Sequence, residues 1–193
     1  VAGISGYVGG VVSIANCANL GDVVTGGNYA AGIAAYISGN VSITASYNKG
    51  DITANGYAGG ILGYNGTNQI TVKACYNEGN ITAANTNNGG IAGWLKGSSS
   101  NKSVVTDVYN AGTVTGGEYT ESLFGILENV ELERAYSLSG TTDSYGEQLA
   151  SYKLKTAYLD SDYYCGTCDG YPALCWQTDA RFHEKKDGVV TEP

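Results

Sequence analysis

The sequence predicts an all-β fold: a right-handed, three-sided parallel β-helix of about five coils of 28–32 residues, with a small C-terminal cap. Two recurring motifs predict it. A Gly-Ile-x-Gly-aromatic motif begins at positions 3, 60 and 90, with looser copies at positions 32 and 122. A Tyr-Asn-x-Gly motif follows it in the repeats, as at 47–50 and 76–79. Because the two motifs stay in step, each repeat corresponds to one coil of a solenoid.

The composition is typical of a packed fold rich in strands and turns. The 193 residues include 29 Gly and 16 Tyr but only 2 Pro, and 42% of them are hydrophobic, which is too many for a disordered Gly-rich chain. The formal net charge is −8, and the sequence contains no basic cluster. We therefore expect no binding to nucleic acid. Since the sequence has no apolar run of about 18 residues, we also expect no membrane insertion.

Each repeat is divided by Gly- and Asn-rich turns into three extended runs, as at 60–64, 70–76 and 80–82. One aliphatic column per run is expected to fill the interior. The three columns are Ile4, Ile33, Ile61, Ile91 and Leu123; Ile14, Ile43, Val72, Val105 and Leu132; and Val23, Ile52, Ile81 and Val114. Burying one such side chain contributes roughly 1.5 to 3 kcal/mol, so these columns supply the main force that opposes chain entropy.

A polar column is expected at the turn after the second run. Its members are Asn19, Asn48, Asn77, Asn110 and Ser137. Side-chain amides that repeat about 4.8 Å apart along a stack of strands can hydrogen-bond one to the next. The sequence therefore predicts an asparagine ladder that ends at a serine.

The repeats end near residue 140, and this divides the chain into three parts. We assign residues 1–140 to the β-helix, 141–177 to a cap with a short helix and a closing strand, and 178–193 to a polar tail or a linker to a further domain. Residues 144–147 have the Ser-x-x-Glu form of a capping box, which predicts the helix within 148–159. The cap is expected to cover the open end of the solenoid, because a bare end exposes strand edges.

The registered Gly-Ile-x-Gly and Cys/Ser-Tyr-Asn-x-Gly motifs resemble the GLUG-motif repeats of bacterial surface and secreted proteins. Residues 169–177, with the sequence Asp-Gly-Tyr-Pro-Ala-Leu-Cys-Trp-Gln, are similar to the ending of such arrays. The resemblance covers residues 1 to about 177 and is weaker at Ala35 and Ser122. It implies an extracellular protein, at the bacterial cell surface or secreted, that is adhesin-like or peptidase-associated. It supplies no catalytic residues.

Two aromatic columns are expected to point outward. The first contains Tyr47, Tyr76, Tyr109 and Tyr136, and the second contains Tyr7, Tyr36, Tyr64 and Trp94. Because Tyr and Trp are enriched in binding hot spots and their rings can stack on sugars, these are the candidate ligand-binding residues. The expected ligand is a host glycan or a secreted host protein, such as a mucin or an immunoglobulin. The alternative is that the rings only stack on one another and stabilise the strands.

The five cysteines fall into two groups. Cys17 and Cys75 lie in one column two coils apart, about 9.6 Å at strand spacing and beyond the roughly 7 Å Cα limit for a disulfide, so we expect free thiols. In the cap we expect a disulfide between Cys175 and either Cys168 or Cys165. The alternative is a zinc site. Its candidate ligands are Cys165, Cys168, Cys175 and His183.

No arrangement typical of catalysis is found in the repeats. Asp22 and Asp51 stack in adjacent coils, but the column continues as Asn80 and Thr113. The single histidine lies in the tail, so Ser-His-Asp or Cys-His chemistry has no base within the solenoid. We expect a binding module without enzymatic activity or cofactor. The alternatives are a purely structural stalk or spacer and a polysaccharide-degrading β-helix enzyme.

Overall fold

The computed structural model describes residues 1–66, 68–138, 144–154, 157–168 and 170–178. The strands of the first two coils are β1 (Ser5–Val8), β2 (Val11–Ala15), β3 (Ala18–Asn19), β4 (Val23–Val24), β5 (Tyr29–Ala31), β6 (Ala34–Ile37), β7 (Asn40–Thr44), β8 (Tyr47–Asn48) and β9 (Ile52–Ala54). The next two coils contain β10 (Tyr57–Gly59), β11 (Leu62–Asn65), β12 (Ile70–Asn77), β13 (Ile81–Ala83), β14 (Asn88–Gly89), β15 (Ala92–Lys96), β16 (Ser103–Asn110) and β17 (Val114–Gly116).

The fifth coil and the cap complete the chain. The fifth coil contains β18 (Thr120–Glu121), β19 (Phe124–Glu128) and β20 (Val130–Leu138). The cap contains β21 (Glu147–Leu149), α1 (Ser151–Leu154), β22 (Tyr164–Cys168), β23 (Tyr171–Leu174) and α2 (Cys175–Thr178). Within the described ranges, no helix has the length and apolar character needed to cross a membrane. Most of the predicted tail, 179–193, lies outside the described residues.

Equivalent strands of successive coils stack in parallel. One sheet has the order β1-β6-β11-β15-β19, and a second, longer sheet runs from β2 through β7, β12, β16 and β20 to β21, with β3 and β8 beside it. Two shorter sheets have the orders β5-β10-β14-β18 and β4-β9-β13-β17. The register pairs like with like, as in Tyr36 with Tyr64 and Tyr64 with Trp94. The predicted parallel β-solenoid of about five coils is confirmed.

The third and fourth coils each have four strands, one more than the three extended runs predicted. In the third coil the additional strand is β10, which precedes the predicted first run and is joined to β11 by a bend at Gly60. A Cβ atom on Gly60 would overlap the amide oxygen of Asn77 and the carbonyl oxygen of Gly90. The Gly-Ile motif and the asparagine column therefore recur together because each packs against the other.

The three aliphatic columns fill the interior as predicted. Ile33, Ile61 and Ile91 are fully buried. The other two columns are equally buried in the second to fourth coils, except that Val114 is partly buried. Exposure increases at the first coil, where Ile4 is 45% exposed because no coil covers it among the described residues.

The asparagine ladder is also confirmed. The amide nitrogens of Asn19, Asn48 and Asn77 donate to the amide oxygens of Asn48, Asn77 and Asn110 over 2.7, 2.7 and 2.8 Å. Each nitrogen also donates to the carbonyl oxygen two residues later, as Asn77 does to Gly79 over 2.7 Å. Both protons of each amide group are thus used, which satisfies polar groups that the core buries.

The glycines two positions after Asn48, Asn77 and Asn110 are required by close packing. A Cβ atom on Gly79 would overlap the carbonyl oxygen of Gly50, and one on Gly112 would overlap that of Gly79. The turns of successive coils therefore stack backbone on backbone, which explains the invariant end of the Asn-x-Gly motif within this chain.

The cap differs from the prediction in its local structure. Glu147 begins strand β21, which pairs in parallel with β20 and extends the long sheet at its end, so the expected capping box is not formed. The backbone nitrogen and hydroxyl of Ser144 instead donate to the carboxylate of Glu121 over 2.7 and 2.8 Å. The helix is only the four residues of α1.

The position of the cap also differs from the prediction. Among the described residues, β21 and the preceding Tyr145, which packs against Phe124, cover the end of the solenoid, whereas the rest of the cap packs against its flank. Its buried side chains Leu154, Leu159, Tyr164 and Leu174 form a second hydrophobic cluster with tyrosines of the long sheet. The cap therefore covers a side surface that the sequence assigned to a ligand.

Candidate binding surface

The first aromatic column points out of the solenoid but does not face solvent. Tyr76 and Tyr109 are fully buried and Tyr47 is 8% exposed, because the cap lies over them. The rings stack almost parallel, with centroids 4.9 Å apart between Tyr47 and Tyr76 and 4.7 Å apart between Tyr76 and Tyr109. We call these three residues the covered ladder. The prediction that this column, which continues to the partly buried Tyr136, is open to a ligand is wrong.

Hydrogen bonds from the hydroxyls fix the cap to this column. Tyr109 donates to the carbonyl oxygen of Pro172 over 2.7 Å. Tyr136 donates to the carbonyl oxygen of Tyr158 over 3.2 Å. Burial, followed by the neighbouring Tyr76, raises the pKa of Tyr109 well above its ordinary value, so its hydroxyl remains a donor. The hydroxyls of Tyr109 and Tyr136, at the outer edge of the column, therefore bind the backbone of the cap.

Helix α2 covers the first rings of the covered ladder. The Trp176 ring lies 5.5 Å from that of Tyr47, and its indole nitrogen donates to the carbonyl oxygen of Ala45 over 2.9 Å. Next to it, the amide nitrogen of Gln177 donates to the hydroxyl of Tyr76 over 2.6 Å. These contacts join residues more than 100 positions apart in sequence, so no local pattern could predict them.

A buried carboxylate holds the next part of the cap. Asp107 is fully buried, and Arg134 donates to both of its oxygens over 2.5 and 2.8 Å. Asp107 also accepts the hydroxyl of Thr106 over 2.8 Å and the backbone N–H of Asp160 over 2.9 Å. Burial alone would raise the pKa of Asp107, but the hydrogen bonds from Arg134, Thr106 and Asp160 together lower it. Asp107 is therefore ionised at neutral pH and links the solenoid to the cap.

A second ion pair lies beside the first. The ammonium of Lys73 is 3.1 Å from the carboxylate of Asp160 and 4.6 Å from the ring centroid of Tyr163. The backbone N–H of Asp162, followed by Lys73, lowers the pKa of Asp160. Both acidic groups at the cap junction therefore favour their charged forms in the folded chain.

A recurring backbone bend places these groups. The residue three positions before each ladder residue has a left-handed backbone, with φ between 47° and 58° in all five coils. These residues are Asn16, Ala45, Ala74, Asp107 and Arg134. The bend separates the two halves of the long strand and brings Asp107 and Arg134 together in adjacent coils. In the sequence, only the position of this residue within the repeat indicates the bend, because alanine does not by itself indicate a left-handed conformation.

The cap also contains a disulfide between Cys165 and Cys175, with Cα atoms 4.6 Å apart. This is one of the two pairings that the sequence left open. It removes two thiolates from the candidate zinc site, which is therefore not formed in this state. The side chain of Cys168 and the whole of His183 lie outside the described residues. Cys17 and Cys75 are free, as predicted.

Removing the disulfide is expected to release the cap without unfolding the solenoid. Two-stranded hairpins and four-residue helices have little stability of their own, and closing a loop of ten residues contributes about 2 to 3 kcal/mol. In the double variant Cys165→Ser, Cys175→Ser, nitration of Tyr76 and Tyr109 by tetranitromethane should rise several-fold. Mass spectrometry measures the extent of nitration at each tyrosine.

Two internal references accompany this measurement. Tyr7 and Tyr119 are 65% and 60% exposed, so their nitration should not change. Burial raises the pKa of Cys75 to about 12, so this thiol should resist alkylation while the solenoid remains folded. Alkylation of Cys75 in step with nitration of Tyr76 would show that cap and solenoid unfold together.

The second aromatic column remains open to solvent. Tyr7 is 65% exposed, and Tyr36, Tyr64 and Trp94 are partly exposed. Two further tyrosines, Tyr29 and Tyr57, lie in register on the adjacent short sheet. We call these six residues the aromatic surface. The sequence motifs do not identify Tyr29 and Tyr57, because they lie in segments between the predicted runs, although each precedes the Ile of its motif by four residues.

The rings of the aromatic surface form two interlocked rows. Within the longer row, Tyr36 stacks between Tyr7 and Tyr64, with centroids 5.7 and 5.4 Å away. In the shorter row, Tyr29 and Tyr57 stack 5.5 Å apart. Edge contacts join the rows, as between Tyr57 and Tyr64 at 4.9 Å and 64°. The middle of the surface therefore presents ring edges and hydroxyls rather than open ring faces.

The hydroxyls of Tyr29 and Tyr64 are neutral donors. Burial, followed by Tyr36 and Tyr57, raises the pKa of Tyr29, and burial followed by Tyr29 has the same effect on Tyr64. Among the described residues, four buried polar atoms lie without a hydrogen-bond partner in the fourth coil. They are Thr86 Oγ1, Asn87 Nδ2, Asn88 Oδ1 and Trp94 Nε1. Desolvated polar groups of this kind are costly, and here they gather at one end of the aromatic surface.

The acidic column has a structural use. The Oδ1 atom of Asp22 accepts the backbone N–H of Asp51 over 2.9 Å, and the Oδ1 atom of Asp51 accepts that of Asn80 over 2.7 Å. Asn80 in turn accepts the N–H of Thr113 over 3.2 Å. These side chains therefore align the turns of adjacent coils, a function that Asn performs as well as Asp.

Comparisons with known proteins do not identify a family for this chain. No protein-family model, curated protein or solved structure matches the chain. The resemblance to GLUG-motif repeats thus stays a prediction from the motifs, and the function has to be argued from the surface itself.

Proposed function

We propose that the chain is a non-catalytic, adhesin-like binding module of a bacterial cell-surface or secreted protein, and that it recognises a host glycan or a secreted host protein through the aromatic surface. The observation that supports this most is the cluster of six partly exposed aromatic rings on a regular β scaffold. Exposed aromatic patches on soluble proteins commonly mark interaction sites. The cap disulfide supports an oxidising, extracellular location.

The stacking distances favour one competing function, a structural stalk. Rings 5.4 to 5.7 Å apart along the axis stabilise neighbouring strands without any partner. In that case, replacing the rings would lower stability and leave every binding measurement unchanged. The enzyme alternative has less support, since Asp22 and Asp51 already bind backbone N–H groups.

The double variant Tyr36→Ser, Tyr64→Ser is expected to lose binding at least tenfold, about 1.4 kcal/mol, because both rings lie in the middle of the aromatic surface. The native chain is screened against a glycan array and against immobilised mucin and immunoglobulin. The affinity of each positive interaction is then measured for both proteins by biolayer interferometry.

The matched control is Tyr158→Ser, which removes an 80% exposed tyrosine outside the aromatic surface. It should bind as the native chain does. Equal affinities of all three proteins, together with a lower melting temperature of the double variant alone, would support the stalk instead.

A further inference from the structure

We propose that the partner of the aromatic surface is a polypeptide segment, whose backbone carbonyl groups accept hydrogen bonds from the tyrosine hydroxyls while its side chains pack against the ring edges. This inference rests on the proposed function and adds the chemical class of the partner.

The ring faces in the middle of the aromatic surface are already occupied. Tyr36 has a neighbouring ring on both faces, Tyr7 at 9° and Tyr64 at 21° between ring planes. A sugar that stacks on an aromatic residue needs an open face, because the contact is between the apolar side of the sugar and the π-system. The middle of this surface offers edges instead, which suit the mixed apolar and polar outline of a peptide.

The covered ladder has the same ring arrangement, and its occupant is a polypeptide. Tyr47, Tyr76 and Tyr109 are stacked at 2° and 4°, with their edges outward, as in the aromatic surface. The cap lies on those edges and buries the rings of Tyr76 and Tyr109 completely. In this structure, therefore, one row of stacked tyrosines on the flank of the solenoid already binds a polypeptide segment, the cap.

The contacts with the cap identify the groups that matter. Tyr109 of the covered ladder, and Tyr136 next to it in the same column, each donate to a backbone carbonyl oxygen of the cap over 2.7 and 3.2 Å. The hydroxyl of Tyr76 accepts from the side-chain amide of Gln177. On the aromatic surface, the hydroxyls of Tyr36 and Tyr64 form no hydrogen bond with the described residues. They are therefore available to carbonyl groups of a partner.

The two tryptophans show the same contrast. The indole nitrogen of Trp176 donates to the carbonyl oxygen of Ala45 across the cap interface. The indole nitrogen of Trp94 is buried at the edge of the aromatic surface and has no partner among the described residues.

The test uses random twelve-residue peptides displayed on phage, selected against the native chain, and a glycan array probed in parallel. Selected peptides are synthesised, and their affinities are measured by isothermal titration calorimetry. The decisive variant is Tyr36→Phe, Tyr64→Phe, which keeps both rings and removes both hydroxyls. Losing one neutral hydrogen bond weakens binding about three- to tenfold, so the double variant should bind peptides at least tenfold more weakly.

Tyr158→Ser serves as the control and should bind the peptides with native affinity. The inference is overturned if selection yields no peptide, or if the Phe variant binds peptides as tightly as the native chain. Glycans that bind, and that are lost in Tyr36→Ser, Tyr64→Ser, would overturn the inference while the proposed function stands. If neither peptides nor glycans bind, the proposed function fails as well.

Discussion

Asn77→Ala is expected to lower the free energy of unfolding by about 3 to 5 kcal/mol, because it breaks the asparagine ladder in the middle of the solenoid. Asn77 is fully buried. Its amide accepts a hydrogen bond from Asn48 and donates to Asn110 and to the carbonyl oxygen of Gly79. Alanine removes all three bonds and leaves the Gly79 oxygen desolvated. Urea denaturation followed by far-ultraviolet circular dichroism measures the loss.

Asn55→Ala is the matched control for this experiment. Like Asn77, Asn55 donates its amide to a backbone carbonyl oxygen, that of Gly26 in the preceding coil, over 2.7 Å, but it is exposed. Water can replace this bond, so the expected loss is below about 1 kcal/mol. Equal losses for the two variants would mean that the ladder contributes no more than any surface asparagine.

The difference between these two asparagines shows what the sequence can predict. Asn77 belongs to a column that recurs in step with a glycine and an interior aliphatic residue, and this registry alone places it inside. The same argument placed Ile61 and Val72 in the core correctly, since a residue that recurs once per coil has the same surroundings in each coil.

Registry could not distinguish Tyr64 from Tyr76. Both recur once per coil on an outward position, yet Tyr64 is partly exposed and Tyr76 is fully buried. The cause is the cap, whose sequence does not repeat and whose contacts with the solenoid join residues up to 131 positions apart. Such contacts depend on side-chain packing that no periodic pattern records.

Acidification is expected to release the cap before the solenoid unfolds. Asp107 and Asp160 have lower pKa values in the folded chain than in the unfolded chain. The pKa of an Asp in an unfolded chain is about 3.9. Their contribution is therefore fully present above pH 4 and is lost as the pH falls through the folded values. Protonation of Asp107 weakens its bonds with Arg134 and with the backbone of Asp160. Asp22 and Asp51, in the turns of the solenoid, accept backbone N–H groups but form no ion pair with the described residues.

Fluorescence of Trp176 reports the release, since this residue is packed against Tyr47. The chain has two tryptophans, so the titration from pH 7 to pH 2 is made in a Trp94→Phe background. The emission should shift to longer wavelength below pH 4, while circular dichroism still reports an intact solenoid.

Asp107→Asn, in the same background, distinguishes this cause from general acid unfolding. Asparagine keeps the size of the side chain but removes the charge, which leaves Arg134 with one carboxylate partner, the exposed Glu133. Because Arg134 is itself partly exposed, the cost is at the lower end of that for a broken buried ion pair, about 3 kcal/mol. The variant should therefore emit at longer wavelength already at pH 7 and respond little to acid. A variant that keeps the native emission at pH 7 and the native acid transition would show that Asp107 does not hold the cap.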